Sequence, residues 1–549
     1  MLKKVQNPFS MFNLVIDKIR SYPKLILFLF FTVIYFKVPF IFFQQDEWYG
    51  FGNMITYGEN LLFHRFQEGD INHFVPINNL INFLFFNSFF LNNIAYNIFG
   101  LSIHFINALL VYKIGQKLFK DNFFAFISSL LFITISSASE IVMWPSISIS
   151  ILALTFSLLA FFLILKFINQ KNNFSYSLIS AILIISSLLT IEYSAGMLIF
   201  IPISLLVLNE GKGLKKIIIF LTPLAILSPF YLYFRFNPQS IVVGSVSLSK
   251  HLPLNLPLNY LGQLTVTEQV MNFIGLFTNP QPIFANENLI AQINLVIGVV
   301  IFIFLSTLIT KSWKLKKEDS KILILAMLFL LSSSLPFIFT PSSFGVKMGF
   351  SLIPSRYFYF GLVGMSLLVP ALIKVGLNYK NSLFVYIGVF SLFISIILGI
   401  GGNWYKQNDL YQRGNTREII LKKIKNEYPS LPEKVIFYTE SDKSYYGLAE
   451  DRKILPFQSG FGQTLLVWYY QEALFPKEFY TDRFLWEMTS EGYKEINGRG
   501  FGYFRDLEML KKTVKKYNIP SSSILAFSWV DNKGSLTDIS EEIRKKINE

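Results

Sequence analysis

The sequence predicts a polytopic α-helical membrane protein of about 11 spans with a small C-terminal α/β domain, and three observations carry that prediction. Apolar runs long enough to cross a bilayer, about eighteen residues or more, recur along most of the chain. Only 15% of the 549 residues are charged, 52% are hydrophobic and the mean hydropathy is +0.45, against about 25% charged in a soluble protein. After about Asn403 the composition changes to ordinary soluble values. A membrane β-barrel would show short alternating segments instead.

The expected spans are 24–43, 93–112, 122–138, 147–168, 174–191, 194–209, 216–234, 288–310, 321–340, 355–374 and 382–402. With the N-terminus in the cytoplasm, the inner segments collect most of the lysines, such as Lys113, Lys117 and Lys120, or Lys311, Lys314, Lys316, Lys317 and Lys321. The outer loops keep Arg65, Arg235, Lys250, Lys347 and Arg356. That asymmetry is the positive-inside pattern. It predicts a plasma-membrane protein of a prokaryote, the Lys/Asn/Ile/Phe-rich composition suggesting an AT-rich genome. The net charge of +14 is then a matter of topology, and no nucleic-acid partner is expected. The apolar run after Lys24 is too long for a signal-peptide core and lacks a small-residue cleavage site, so no cleaved leader is expected.

The transmembrane domain is expected over 1–402, with a structured first outer loop at 44–92 and a long, proline-rich outer loop at 235–287. Residues 77–91, INNLINFLFFNSFFL, are short for a crossing and predict a helix lying in the outer interface, with a shorter helix near 52–63 before it. The extracytoplasmic domain, 403–549, reads as an amphipathic helix at GNTREIILKKIKNEY, strands at KVIFYTES and SILAFSWV, and a helix at DLEMLKKTVKKYN.

The chain has no cysteine and only four histidines. That excludes disulfides, thiolate metal sites and cysteine nucleophiles, and it disfavours histidine zinc chemistry. The chemistry-bearing residues lie at the outer ends of spans: Asp46 and Glu47 in FFQQDEWYGFG, His73 in HFVP, Glu140 in SSASEIVMWPS, Glu192 in LLTIEYSAG, Lys347, and Arg356 and Tyr357 in PSRYFYFG. A charge at membrane depth is costly and defaults to function. A single acid at a span end is as readily a solvated helix end. Three acids from three hairpins on one side make that explanation harder to repeat. Arginine alone reads first as an interface anchor, and its functional alternative is bidentate phosphate binding. His73 is equally a structural histidine.

The order of these elements resembles the GT-C glycosyltransferase superfamily, which includes protein O-mannosyltransferases and lipid A aminoarabinose transferases. The resembling residues are the DEW of Asp46–Trp48 after the first span, HFVPI at 73–77, IFGLSIHFINALLVYKIG at 98–115, SEIVMWPS with Glu140 and Trp144, IEYSAG with Glu192, and RYFYFG at 356–361. It covers about residues 20–402, and the lysine that usually precedes the third acid is replaced by Ile191. The C-terminal domain lacks TPR periodicity. The resemblance implies an inverting transfer of a sugar from a polyprenyl-phosphate donor to a glycan, lipid or protein acceptor on the outer face, among membrane lipids. It implies Asp46 as general base, Glu47 and Glu140 as its catalytic neighbours, and His73, Glu192, Lys347, Arg356 and Tyr357 as substrate-binding groups. It leaves a divalent metal open, with no cofactor certain. The absence of a GxGxxG after a strand agrees with a lipid-linked donor rather than a nucleotide sugar. Other readings are a polysaccharide polymerase or ligase, for which the 235–287 loop holds few arginines, a lipid-linked-sugar transporter, for which internal repeats are missing, and a non-catalytic scaffold.

Overall fold

The structure is a computed structural model that describes residues 20–63, 66–68, 71–137, 139–169, 174–210, 214–236, 252–265, 267–278, 287–337, 355–473 and 475–549. The chain divides into two compact units, each described by itself below. The first comprises Met1–Val38, Arg65–Asn79 and Asn97–Asn408; the second comprises Pro39–His64, Leu80–Tyr96 and Asp409–Glu549.

Among the described residues seven helices are long and apolar enough to cross a membrane: Asn93–Phe119, Pro145–Ile168, Leu214–Arg235, Gln292–Lys314, Lys317–Phe337, Gly361–Asn378 and Ser382–Glu427. Four shorter apolar helices, Pro23–Ile34, Asn122–Thr134, Phe174–Thr190 and Glu192–Leu208, fall on the remaining expected intervals. The predicted class, a polytopic helical membrane protein with a C-terminal sheet domain, is the one observed.

Several expected boundaries are corrected. The run 24–43 is not one helix. It is helical over Pro23–Ile34, then passes through a short 3₁₀ turn at Val38–Phe40. Pro39 explains part of this, since it has no N–H and disfavours helix at the residue before it. The rest comes from another helix. Gln407 Nε2 donates to Ile34 O at 2.6 Å and Trp404 Nε1 donates to Val33 O at 3.2 Å, so side chains satisfy the orphan carbonyls of the last turn. The same device shortens the expected 122–138 span. Asn403 Nδ2 donates to Thr134 O at 2.8 Å, where the helix Asn122–Thr134 ends. The N-terminus of that helix is capped by Asp121, whose Oδ1 accepts from the backbone N–H of Phe123 at 2.7 Å.

The last span does not stop at 402. Ser382–Glu427 is one helix of 46 residues that takes in the amphipathic segment expected separately. No proline interrupts it. At 1.5 Å per residue it is about 69 Å long, more than twice the hydrocarbon core of about 30 Å. The expected outer loop 235–287 also holds helices, at Leu252–Gln263 and Thr267–Ile274.

Within the first unit, serines tie neighbouring apolar helices. Ser129 Oγ donates to Ala108 O at 2.6 Å, Ser187 Oγ to Ala153 O at 2.7 Å, and Ser177 Oγ to Phe220 O at 2.6 Å. Such bonds and small residues take the place of a hydrophobic drive between lipid-facing helices. A buried tetrad knits the interior. His104 Nδ1 lies 2.7 Å from Tyr359 Oη and its Nε2 lies 3.2 Å from Tyr35 Oη. Asn107 Nδ2 donates to Tyr359 Oη at 3.3 Å.

Gly196 ends the 3₁₀ turn Glu192–Gly196 and passes directly against the Ser332 carbonyl, which any Cβ there would strike. The obstacle is backbone and cannot rotate away. Gly196→Ala is expected to lower the stability of the purified protein by about 3 kcal/mol, the upper end for overpacking, read as a drop in thermal unfolding temperature.

In the second unit a five-stranded sheet runs in the order β4-β5-β3-β6-β7, with β3 Lys434–Ser441, β4 Gly492–Ile496, β5 Arg499–Phe504, β6 Ile524–Val530 and β7 Ser535–Asp538. The central β3 pairs parallel with both β5 and β6, and the outer strands are antiparallel. Five consecutive residues of β3, Val435–Thr439, are buried, as a strand covered on both faces must be. On one face Ile436, Tyr438, Leu510, Ile524 and Ile543 form a core with the helices Leu507–Tyr517 and Ser540–Asn548. Asn497 and Gly498, both at positive φ, turn the chain between β4 and β5, the pairing that a two-residue hairpin loop requires. A two-stranded ribbon, β1 Phe66–Glu68 with β2 Ile71–His73, belongs to the first unit.

Candidate active site

In the first unit the sequence-predicted residues Glu140, Glu192, Arg356 and Tyr357 form one chain of contacts. Glu140 opens a four-residue helix, Glu140–Met143, that Trp144 and Pro145 end. Arg356 sits in the 3₁₀ turn Ser355–Phe358, just before the helix Gly361–Asn378. Its Nη1 donates to Glu140 Oε1 at 3.2 Å. The guanidinium carbon lies 5.3 Å from the centre of the Trp144 ring and 5.2 Å from that of Tyr357. Beside two aromatic rings and held by a carboxylate, the fork is restrained in direction. Burial opposes its charge, but Glu140 and Tyr357 outweigh that and hold the arginine above its ordinary pKa.

Tyr357 continues the contacts. Its ring meets Tyr193 edge-on at 5.0 Å, and both pack on Phe337. Tyr193 follows Glu192 in the same 3₁₀ turn. Glu192 Oε1 accepts from Phe74 N at 3.0 Å and lies 3.6 Å from Arg235 Nη2. Two carboxylate–arginine pairs are thus bridged by two tyrosines. Arg235 was legible only as a basic residue of an outer loop. Its place in the last turn of Leu214–Phe236 was its one further signal, since cations favour helix C-termini.

The acid pair of the opening motif belongs to the second unit. Asp46 and Glu47 do not lie in a loop; they form the first turn of a helix, Asp46–Tyr57. Acids there complement the helix dipole. The two differ in environment. Asp46 is exposed, whereas Glu47 is 4% exposed and its Oε2 accepts from Gln45 N at 2.9 Å. Trp48 is fully buried among Phe42, Phe43, Phe51 and Trp468. Gly52 lets this helix close on the Tyr480 carbonyl, to which a Cβ would come within 2.5 Å. Gln44, beside the acids in sequence, receives Arg417 Nη1 at 2.8 Å on its Oε1. Arg417 is 1% exposed and also donates to Pro456 O and Tyr446 Oη. Nothing in the sequence marked Arg417 as buried.

His73 ends β2, opposite Phe66. Its side chain, and the whole of Lys347, lie outside the described residues. Among the described residues no three His, Asp or Glu side chains gather as a metal-ion set.

No family model matches the chain, and no curated protein matches it. Seven solved chains match. Among them is the crystal structure of ArnT from Cupriavidus metallidurans bound to undecaprenyl phosphate, to which this chain is similar over 92% of each chain, at 10% identity and a TM-score of 0.43.

Proposed function

We propose that the chain is a GT-C-type inverting glycosyltransferase that moves a sugar from a polyprenyl-phosphate donor to an acceptor on the outer face of the membrane. The observation that carries this reading is the Arg356–Glu140 pair, beside the rings of Trp144 and Tyr357 at the head of an apolar helix. A guanidinium has five N–H donors in a planar fork. Glu140 takes Nη1, and a quarter of the Arg356 side chain remains exposed, so a phosphate can be gripped beside the carboxylate. A lipid phosphate is the phosphate that arrives where an apolar helix begins.

In this mechanism Arg356 stabilises the charge that grows on the departing lipid phosphate as the glycosidic C–O bond breaks. Preorganised donors of this kind are worth several kcal/mol in a site shielded from water. Tyr357 and Tyr193 give the sugar or the headgroup an aromatic wall. Glu192 and Arg235 hold that wall in place, and His73 and Lys347 add binding groups. Asp46 accepts the proton of the acceptor hydroxyl as its oxygen attacks the anomeric carbon from the opposite side, inverting the centre. Glu47, on the same helix turn, orients that region, and Glu140 keeps the guanidinium aimed. The N-terminus is cytoplasmic and the sheet domain extracytoplasmic in this reading, following the lysine distribution. The acceptor is a glycan, lipid or protein.

The purified protein in nanodiscs is offered a panel of polyprenyl-phosphate sugars, with release of free polyprenyl phosphate as the readout. Turnover of at least one donor, with inversion at the anomeric carbon, is the expected result. Failure of every donor, or transfer only from pyrophosphate-linked lipid, would replace this reading by the polymerase or ligase.

A further inference from the structure

We propose that a second site in the first unit binds a neutral saccharide ring. A cavity of about 160 Å³ opens between the helices Leu252–Gln263, Thr267–Ile274, Glu287–Leu315 and Gly361–Asn378. That is the space of about five water molecules at liquid density, and it suits one pyranose. Four side-chain amides line it, Asn259, Gln263, Gln269 and Asn294. An amide offers both a donor and an acceptor, which is what a ring of hydroxyls requires.

Two of these amides have distinct states. Gln263 is fully engaged: its Nε2 donates to Ser334 Oγ at 2.6 Å and to Leu330 O at 3.1 Å, and its Oε1 accepts from Ser333 Oγ at 2.6 Å. It is part of the wall. Gln269 is 2% exposed, and its Oε1 has no hydrogen-bond partner among the described residues. A buried amide oxygen left this way costs about 1–3 kcal/mol, and a ligand hydroxyl that drew the sealed side chain round to meet it would recover that loss.

The charge of the cavity narrows the ligand. Among the described residues Glu268 is its one charged lining residue, and Lys406 Nζ pairs with it at 3.0 Å. Among the described residues an anionic or cationic ligand finds no unpaired counter-charge on the lining, whereas a neutral one meets the amides and Phe358. Phe358 also places the cavity two residues along the chain from Arg356. The ring bound there is therefore either the donor's sugar or one from the acceptor. The proposal rests on the reading that this protein handles sugars, but its test needs no transfer.

Gly262 makes the test clean. It lines the cavity, and a Cβ built on it meets no atom within 4 Å. Gly262→Leu fills the space without a clash at its first atom, and it replaces a poor helix former with a good one. Saturation-transfer NMR on the nanodisc protein is run with free glucose, galactose, mannose and N-acetylglucosamine, and with glucuronate as the charged control. The expected result is a saturable signal from at least one neutral sugar and none from glucuronate. The signal should disappear in Gly262→Leu and weaken about tenfold in affinity in Gln269→Leu. A short-chain isoprenyl-phosphate sugar that competes with the signal assigns the ring to the donor, and independent binding assigns it to the acceptor; both support the site. Absence of any saturable signal, or a signal unchanged in Gly262→Leu, would leave the cavity as a water pocket and overturn the proposal.

Discussion

Arg356→Ala is expected to lower kcat for a polyprenyl-phosphate sugar by about 10²–10³-fold, the loss seen when one preorganised charge-stabilising donor is removed. The loss should lie in kcat more than in KM, because the charge on the phosphate oxygen is greatest as the sugar leaves. Arg356→Lys should restore little. An ammonium keeps the charge but neither matches the phosphate bidentately nor offers a planar group to the rings of Trp144 and Tyr357. Glu140→Gln should cost less, about tenfold or 1.4 kcal/mol, since an amide oxygen still accepts from Nη1. Steady-state rates of the four proteins, checked for equal thermal unfolding, settle the order. Arg356→Ala turning over like wild type would mean that the arginine is an interface anchor.

Asp46→Asn carries the other large effect, a fall of about 10²–10⁴-fold in turnover, the contribution of a positioned general base. Its side chain is exposed, so the substitution should cost only about 0.3–1 kcal/mol of stability, the worth of an exposed acid in a first helix turn. Glu47→Gln separates the two acids. That carboxylate is buried and receives a backbone N–H, so its substitution should act on stability before it acts on rate. If Glu47→Gln abolishes transfer at full stability while Asp46→Asn does not, the base is the buried acid and the assignment within the pair is reversed.

The apolar helices were legible because a bilayer imposes one signal, a long uncharged run, that needs no knowledge of neighbours. Their ends were not. Ile34 and Thr134 are helix ends in part because Gln407 and Asn403, hundreds of residues away, donate to their carbonyls, and a local pattern carries no record of that. The 46-residue helix was divided in two because its composition changes at Asn403, but composition reports solvent and not hydrogen bonding. KVIFYTES read correctly as a strand, since a doubly covered parallel strand is a compact β-branched and aromatic run. In the candidate site, Glu140 and Arg356 were each visible as a charge that could not retreat into water. Their pairing was not, because 216 positions separate them. Arg235 does not stand out in the sequence for the opposite reason: one cation at a helix end is ordinary, and only the nearby Glu192 gives it meaning.

Tyr359 has a consequence for the proposed function. It stands three positions after Arg356, and its hydroxyl is gripped deep in the bundle by His104 and Asn107. The backbone that carries Arg356 is thereby anchored, three residues on, in the buried interior of the first unit. If Arg356 grips the donor as proposed, drift at His104 would loosen that grip from a distance, so inheritance of the trait would be written as much in the bundle's centre as at the arginine itself.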